Sequence, residues 1–271
     1  MSTVHLAVIG ETLKHSLSPE IHKYMYRQLG IEGTYEKIEL CPEEVCNVVE
    51  LMKEKKLMGL NVTMPYKEAV MAYLDELGED AKAIGAVNTI HLKDGKAYGY
   101  NSDHIGIRYM FELQNVSVKG KNVVILGNGG AACAVIYAMK NGGAAKVTVV
   151  ARTIEKAEKL KERFSYIECL TYEDELFGDI LINTTPVGMY PNEGESVVER
   201  EVIRTFKAAA DIVYNPFMTE FLNIAKEEGL KIVTGLSMLV GQAIRSEEIW
   251  FGQEIDYRLG NAIHEELSRL F

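Results

Sequence analysis

The chain has 271 residues, of which 47% are hydrophobic and 25% charged, so it can bury the core of one large domain or two modest ones. Its net charge of -10, without a long Lys/Arg block, argues against nucleic acid and membranes as partners, and no apolar stretch is long enough to span a bilayer. Four cysteines without paired spacing predict reduced thiols in a cytoplasmic protein, and six histidines without ligand spacing predict no metal.

Strand-like and helix-like segments alternate in the first part of the chain. Strands are predicted at residues 4–9, 35–40 and 57–62, and helices at residues 19–29 and 42–55. This alternation is typical of an α/β fold with a mostly parallel sheet. Asp94 and Gly95 tolerate positive φ and lie between strand-like residues 88–92 and 97–100. They predict a hairpin, and therefore an open mixed sheet in an N-terminal α/β/α domain.

The pattern restarts at Lys121. Further strands are predicted at residues 122–126, 146–150, 180–183, 210–213 and 231–233, with helices after the first two, which is typical of a Rossmann-like, doubly wound domain. Two last helices, residues 237–250 and 256–270, have no strand to follow and are expected to return to the first domain. We therefore predict one domain of residues 1–103 plus 238–271 and another of residues 104–237, joined by a helix over residues 103–113.

The segment after the third strand contains a lysine in an unusual setting. Pro65 suits the first turn of a helix that reaches Leu74, and this places Lys67 at the positive end of the helix dipole. The dipole disfavours the ammonium and eases loss of its proton, which suits an acid or base near neutral pH. The alternative is an ordinary solvent-facing lysine.

Residues 124–132 run from a predicted strand through a glycine-rich turn into a helix, the context in which glycines bind a dinucleotide. Gly127 permits the tight turn, Gly129 lets the backbone approach the pyrophosphate, and Ala132 allows close helix packing. The phosphates would lie at the helix N-terminus. The alternative is a turn that uses glycine for backbone reasons alone.

The end of the next strand indicates which dinucleotide binds. NAD-binding domains place an acidic residue there for the ribose hydroxyl, but this strand ends without one. Arg152 offers a planar guanidinium suited to a phosphate, and Thr153 and Lys156 are further donors. These residues predict NADP as cofactor. The alternative is that Arg152 and Lys156 form a solvated helix face with Glu155.

Polar side chains also collect just beyond strands, where open α/β sheets bind ligands. They are Ser16, Ser18, Asn61, Thr63, Asn88 and Asp103, a set suited to a polyhydroxylated substrate. Two of them have simpler explanations, since Ser18 is a natural N-cap for a helix that starts at Pro19 and Asp103 for the helix that joins the domains.

Ordered motifs extend along nearly the whole chain. They are S-L-S-P at residues 16–19, N-V-T-x-P-x-K at 61–67, G-A-V-N-T at 85–89, N-x-D-x-x-G at 101–106, the glycine turn at 127–131, Arg152-Thr153, residues 185–189, Tyr-Asn-Pro at 214–216, and Gly235 with Met238 and Gln242. In these motifs the chain resembles the shikimate/quinate dehydrogenase family.

The resemblance implies roles for individual residues. Lys67 and Asp103 would be catalytic, and the substrate would be bound by Ser16, Ser18, Asn61, Thr63, Asn88, Tyr214 and Gln242. NADP would contact Gly127, Asn128, Gly129, Gly130, Ala131, Ala151, Arg152, Thr153, Lys156, Ile212, Gly235 and Met238.

The resemblance also implies a reaction, the reversible reduction of 3-dehydroshikimate to shikimate by NADPH in the pathway to chorismate and aromatic amino acids. Lys67 would stabilise the developing oxyanion and supply the proton, and Asp103 would bind the reacting hydroxyl and hold Lys67. Because substrate and cofactor would occupy different domains, closure is expected to exclude water. The family implies a monomer or a homodimer.

Three positions depart from the family pattern. Ala151 replaces an asparagine, which weakens the expected preference for NADP, while Asn128 for alanine and Ser102 for threonine look tolerable. Three alternatives therefore stay open: a quinate dehydrogenase using NAD, a related dehydrogenase acting on an aminated ring, and a catalytically idle regulator that binds NADPH. The presence of both Lys67 and Asp103 argues against the regulator.

Overall fold

A computed structural model describes residues 3–14 and 16–269. The chain forms two compact units, one of Met1–Asp103 with Gln242–Ile263 and one of His104–Gly241 with His264–Phe271. Residues 238–241 and 264–269, which the sequence predicts to lie in the first domain, group with the second unit. Position 270, the end of the last predicted helix, lies outside the described residues.

The first unit contains a six-stranded mixed sheet in the order β2-β1-β3-β5-β6-β4. Its strands are β1 (Val4–Gly10), β2 (Gly33–Glu39), β3 (Gly59–Val62), β4 (Glu76–Leu77), β5 (Thr89–Lys93) and β6 (Lys96–Tyr100). β1 is parallel to β2 and β3, but β5 is antiparallel to β3 and β6. The predicted hairpin is present, with φ of 52° at Asp94 and 79° at Gly95.

The second unit contains six parallel strands in the order β12-β11-β10-β7-β8-β9. They are β7 (Asn122–Leu126), β8 (Lys146–Ala151), β9 (Glu168–Thr171), β10 (Ile180–Asn183), β11 (Ala208–Asp211) and β12 (Lys231–Val233). The order reverses between β7 and β10, and ligands of doubly wound sheets bind beyond the carboxyl ends of strands at such a point. The predicted Rossmann-like architecture is confirmed.

Ten α-helices are described in this structure. They are α1 (Ser18–Leu29), α2 (Val48–Glu54), α3 (Glu79–Ile84), α4 (Asp103–Leu113), α5 (Gly130–Asn141), α6 (Ile154–Glu158), α7 (Arg200–Ile203), α8 (Glu220–Glu227), α9 (Leu236–Phe251) and α10 (Arg258–Ser268). Short 3-10 segments occupy Pro42–Asn47, Ala69–Tyr73 and Lys159–Glu162. None of the helices in the described part of the chain is long and apolar enough to cross a membrane.

Alternating residues of β1 supply two cores on opposite faces of the first sheet, as the two-residue period of a strand requires. Ala7 and Ile9 belong to a core that also holds Met52. Leu6 and Val8 belong to another that holds Trp250 of α9. The second half of α9 therefore covers the first sheet, as predicted for the first of the two C-terminal helices.

The prediction of a helix beginning at Pro65 is wrong. The next helical residues form only the 3-10 segment Ala69–Tyr73. The carbonyl of Lys67, which an α-helix would pair with the amide of Met71, instead accepts a 2.7 Å hydrogen bond from the amide of Val87. Lys67 therefore lies in a turn held by tertiary contact, and the helix-dipole argument does not apply to it.

Candidate active site

Lys67 and Asp103 form the centre of a polar site in the first unit. Lys67 Nζ donates to Asp103 Oδ2 over 2.6 Å. The Asp103 side chain is 9% exposed and that of Lys67 29%, so the pair is partly shielded but open to a ligand. Asp103 is the first residue of α4, and its carboxylate accepts from Lys67 Nζ and from the side-chain amide of Asn88.

The antiparallel strands explain how the pair forms. β5 runs against β3, so the amino end of β5 lies beside the carboxyl end of β3, and Thr89 is paired with Asn61. The hairpin then brings Tyr100, the last residue of β6, opposite Thr89. Residues that follow β3, precede β5 and follow β6 consequently meet at one edge of the sheet.

Asn88 holds the Asp103 carboxylate in place. Its amide nitrogen donates to Asp103 Oδ1 over 2.7 Å and to Ser102 Oγ over 3.0 Å, and these contacts use both amide hydrogens. The Asn88 oxygen accepts from the backbone amide of Ser102 over 2.7 Å. The side chain is 2% exposed. Asn88 thus binds the Asp103 oxygen that does not contact Lys67.

Asn61 lies within β3 rather than beyond it, contrary to the prediction, and is also buried. Tyr35 donates its hydroxyl proton to Asn61 Oδ1 over 2.7 Å. Burial, with the Glu247 carboxylate nearby, raises the pKa of Tyr35 well above its ordinary value, so this donor stays protonated. The Asn61 amide donates to the carbonyl of Asn88 over 3.0 Å.

The two serines near α1 contact each other. Ser16 Oγ donates to Ser18 Oγ over 3.3 Å. Ser18 is the first helical residue and Leu17 occupies the N-cap position without a side-chain bond, so the N-cap prediction for Ser18 is wrong. Thr63 follows β3 and its amide donates to the carbonyl of Ile9 over 2.9 Å. This bond fixes Thr63 at the carboxyl end of β1.

Gln242 and Ser246 reach this site from α9. Ser102 Oγ lies 3.4 Å from Gln242 Oε1, and Ser246 donates to the carbonyl of Gln242 over 3.0 Å. Sequence reasoning missed Ser246, whose only signal is that it follows Gln242 by four residues and so shares its helix face. Tyr214, the remaining predicted substrate residue, belongs to the second unit.

The glycine turn of the second unit has the backbone geometry expected of a phosphate site. Gly127 has φ of 108°, and a Cβ there would lie 2.8 Å from Thr184 Oγ1. A Cβ at Gly129 would meet nothing within 4 Å. No side chain caps the twelve-residue helix α5, and Gly129, Gly130 and Ala131 are exposed. Free amides at this helix end suit an anion.

Basic side chains lie beyond β8. Arg152, Thr153 and Lys156 are exposed, while Ala151 is buried at the end of the strand. Among the described residues, neither Arg152 nor Lys156 forms an ion pair, with Glu155 or any other acid. Asn128 in the glycine turn donates its side-chain amide to the carbonyl of Lys156 over 3.3 Å. The two loops are thereby joined at one edge of the sheet.

Gly235 allows a close backbone contact next to α9. A Cβ at this position would lie 2.6 Å from the carbonyl oxygens of Ile212 and Val213, so only glycine fits. The amide of Met238 donates to the carbonyl of Gly235 over 3.0 Å. The predicted cofactor residues Ile212, Gly235 and Met238 therefore lie in two neighbouring segments.

Asp211 is a fully buried acid that sequence reasoning missed. It accepts from Thr219 Oγ1 over 2.7 Å, from the amide of Val213 over 3.0 Å and from Asn183 Nδ2 over 3.1 Å. Burial raises its pKa from 3.8 to about 6, against the opposing effect of these donors. Asn183 in turn accepts from the amide of Thr185, so Asp211 supports the loop after β10.

None of the described His, Cys, Asp and Glu side chains come together in groups of three that could hold a metal ion. All four cysteines are free thiols.

Three family models match the chain. They are the shikimate dehydrogenase substrate binding domain over residues 8–90, shikimate/quinate 5-dehydrogenase over residues 111–183, and the shikimate 5'-dehydrogenase C-terminal domain over residues 235–259. The first match contains Lys67 and Asn88, and the second contains the glycine turn.

Curated and solved relatives match almost end to end. Shikimate dehydrogenase (NADP(+)) of Clostridium perfringens is 46% identical over 269 residues, which cover 97% of this chain and 98% of the relative. The crystal structure of shikimate dehydrogenase 1 from Peptoclostridium difficile is 42% identical, with a TM-score of 0.89 over 97% of each chain.

A shikimate 5-dehydrogenase of Thermus thermophilus, solved in complex with NADP(H) and shikimate, is 33% identical, with a TM-score of 0.89 over 97% of this chain and 99% of that one. The fold, the ordered motifs and these matches lead to one conclusion: the chain belongs to the shikimate dehydrogenase family.

Proposed function

We propose that the protein is an NADP-dependent shikimate dehydrogenase, which reversibly reduces 3-dehydroshikimate to shikimate on the route to chorismate and aromatic amino acids. The observation that carries the proposal is the bond between Lys67 and Asp103, in a chain that resembles NADP(+)-dependent shikimate dehydrogenases over nearly its full length. An ammonium held in place by a carboxylate can stabilise the oxyanion that forms during carbonyl reduction and can donate the proton.

Lys67 is the acid in the reducing direction. Negative charge develops on the substrate oxygen during reduction, so the ammonium stabilises it and then supplies the proton. In the oxidising direction the neutral amine takes the proton from the hydroxyl. Asp103 keeps Nζ at a fixed place through its 2.6 Å bond and accepts a hydrogen bond from the substrate hydroxyl.

The remaining substrate contacts follow from the donors and acceptors of the first unit. The hydroxyls of Ser16, Ser18 and Thr63 and the amide of Gln242 suit a carboxylate and ring hydroxyls. Asn61 and Asn88 direct their amide hydrogens to protein acceptors, so each positions neighbouring residues of the site. The family resemblance also assigns both to substrate binding. Tyr214 is the remaining proposed substrate ligand.

The second unit fits the cofactor. The amides of residues 127–131 bind the pyrophosphate, and Arg152, Thr153 and Lys156 bind the phosphate on the adenosine ribose. Asn128, Ala151, Ile212, Gly235 and Met238 complete the contacts. When bound, the nicotinamide of NADPH supplies the hydride.

The test is a spectrophotometric assay of the purified protein with shikimate and quinate, each with NADP and NAD. We expect the largest kcat/KM for shikimate with NADP. Preference for quinate with NAD would assign the protein to that activity instead, and tight NADPH binding without turnover of either acid would identify a regulator.

Lys67→Ala tests the acid–base assignment separately. We expect kcat to fall by a factor of about 100 or more, with binding of shikimate and NADPH retained. Near-full turnover by this variant would show that Lys67 is not the acid or base, but it would not contradict the proposed overall reaction.

A further inference from the structure

Ser246 is a buried hydroxyl that joins helix α9 to the sheet that forms the site. Its side chain is fully buried. Asn61 Nδ2 donates to Ser246 Oγ over 3.0 Å, although 185 residues separate the two. Ser246 Oγ also lies 2.9 Å from Thr89 Oγ1 and 3.1 Å from Ser102 Oγ. One atom therefore contacts residues from three separate segments of the first unit.

The proton of Ser246 has a defined direction. Ser246 donates to the carbonyl of Gln242, and a hydroxyl has one proton and two lone pairs. Its two lone pairs consequently accept from Asn61 Nδ2 and from the hydroxyl of Ser102. It thereby orients the Ser102 proton, which would otherwise be free to rotate.

Those neighbours set the orientation of Asn88. Thr89 Oγ1 and the backbone amide of Ser102 donate to Asn88 Oδ1 over 2.9 and 2.7 Å. Ser102 Oγ, with its proton directed to Ser246, accepts from Asn88 Nδ2 over 3.0 Å. With its oxygen held there, Asn88 must direct its nitrogen to Asp103 Oδ1. The contacts thus extend from Ser246 to the carboxylate that binds Lys67.

We propose that Ser246 is a positioning residue, through which α9 fixes Asn88 and thereby the Lys67–Asp103 pair for proton transfer. The inference rests on the proposed acid–base function. Buried networks of this kind are sensitive to the loss of one member, because the remaining polar groups have no water to replace it.

The experiment is a double-mutant cycle on kcat, measured in single turnovers at saturating NADPH and substrate. Ser246→Ala is expected to reduce kcat about tenfold in the wild-type background but less than about twofold in Asp103→Asn, because the carboxylate to be positioned is then gone. The affinity for NADPH stays unchanged. Thr89→Val, which removes the next hydroxyl at nearly constant shape, is expected to behave in the same way.

Ser268→Ala is the control, since Ser268 also donates to a helix carbonyl, at 2.9 Å, but is only half-buried and lies outside the network. It should leave kcat unchanged in both backgrounds. Equal losses for Ser246→Ala in both backgrounds, or no loss in wild type, would overturn the proposal. Full turnover by Asp103→Asn itself would instead refute the acid–base function on which it rests.

Discussion

Lys67 and Asp103 are 36 residues apart in the chain, yet Lys67 Nζ lies 2.6 Å from Asp103 Oδ2. The contact exists because β5 and β6 turn back antiparallel and return the chain to the end of β3. Asp103 also accepts from Asn88, so its carboxylate is held from two directions.

Asp103→Asn is expected to lower kcat about 100-fold or more while changing KM for NADP less than about threefold, because it removes the anion that orients Lys67. Steady-state kinetics in both directions measures this. Asp256→Asn is the control, since Asp256 is an exposed acid that binds Arg258 over 2.7 Å outside the site. An Asp103→Asn variant as active as that control would contradict the assignment.

Arg152→Ala should weaken selection for NADP. Loss of a charge-assisted bond to a phosphate is expected to raise KM for NADP about 10- to 100-fold and to change KM for NAD less than about threefold. Both constants are measured with saturating shikimate. Arg204→Ala, an exposed arginine of the same unit, should match wild type. A parallel rise in both constants would mean that Arg152 does not recognise the extra phosphate.

Asp211 should make stability depend on pH. Its pKa is raised from 3.8 to about 6 in the folded protein, so the folded state holds the proton more tightly than the unfolded chain does. This contribution is complete below pH 3.8 and is lost as the pH rises through about 6. Relative to Asp211→Asn, the free energy of unfolding of wild type should fall by about 2 kcal/mol from pH 4 to pH 7.

Urea denaturation of both proteins at several pH values tests this prediction. Because only the difference between the two proteins is compared, other titrating groups cancel. A difference that is constant with pH would show that Asp211 has an ordinary pKa in the fold.

Gly59→Ala should destabilise the first unit. A Cβ at Gly59 would lie 2.2 Å from Nε1 of Trp250, whose buried indole donates to the carbonyl of Ile90 over 2.9 Å. We expect the free energy of unfolding to fall by about 2–3 kcal/mol, as for other overpacked cores. In the Trp250→Phe background the same change should cost at least about 1 kcal/mol less, since the smaller ring leaves room. Equal costs in both backgrounds would exclude the clash.

The sequence by itself determined the two-part α/β architecture, the hairpin at Asp94 and Gly95, and the glycine turn at Gly127. Each depends on local chemistry: hydrophobic period, tolerance of positive φ, and a strand that leads into a helix. The ordered motifs also indicated the family to which the chain belongs. The roles of the individual site residues stay predictions.

Only the tertiary structure decided how Lys67 is held. Its local sequence favoured a helix, but the amide of Val87, twenty residues away, takes the carbonyl that this helix would need. The contacts of Asn61 and Asn88 with Ser246 and its neighbours join segments far apart in the chain. Such bonds depend on which strand ends meet after folding, and no local pattern encodes that meeting.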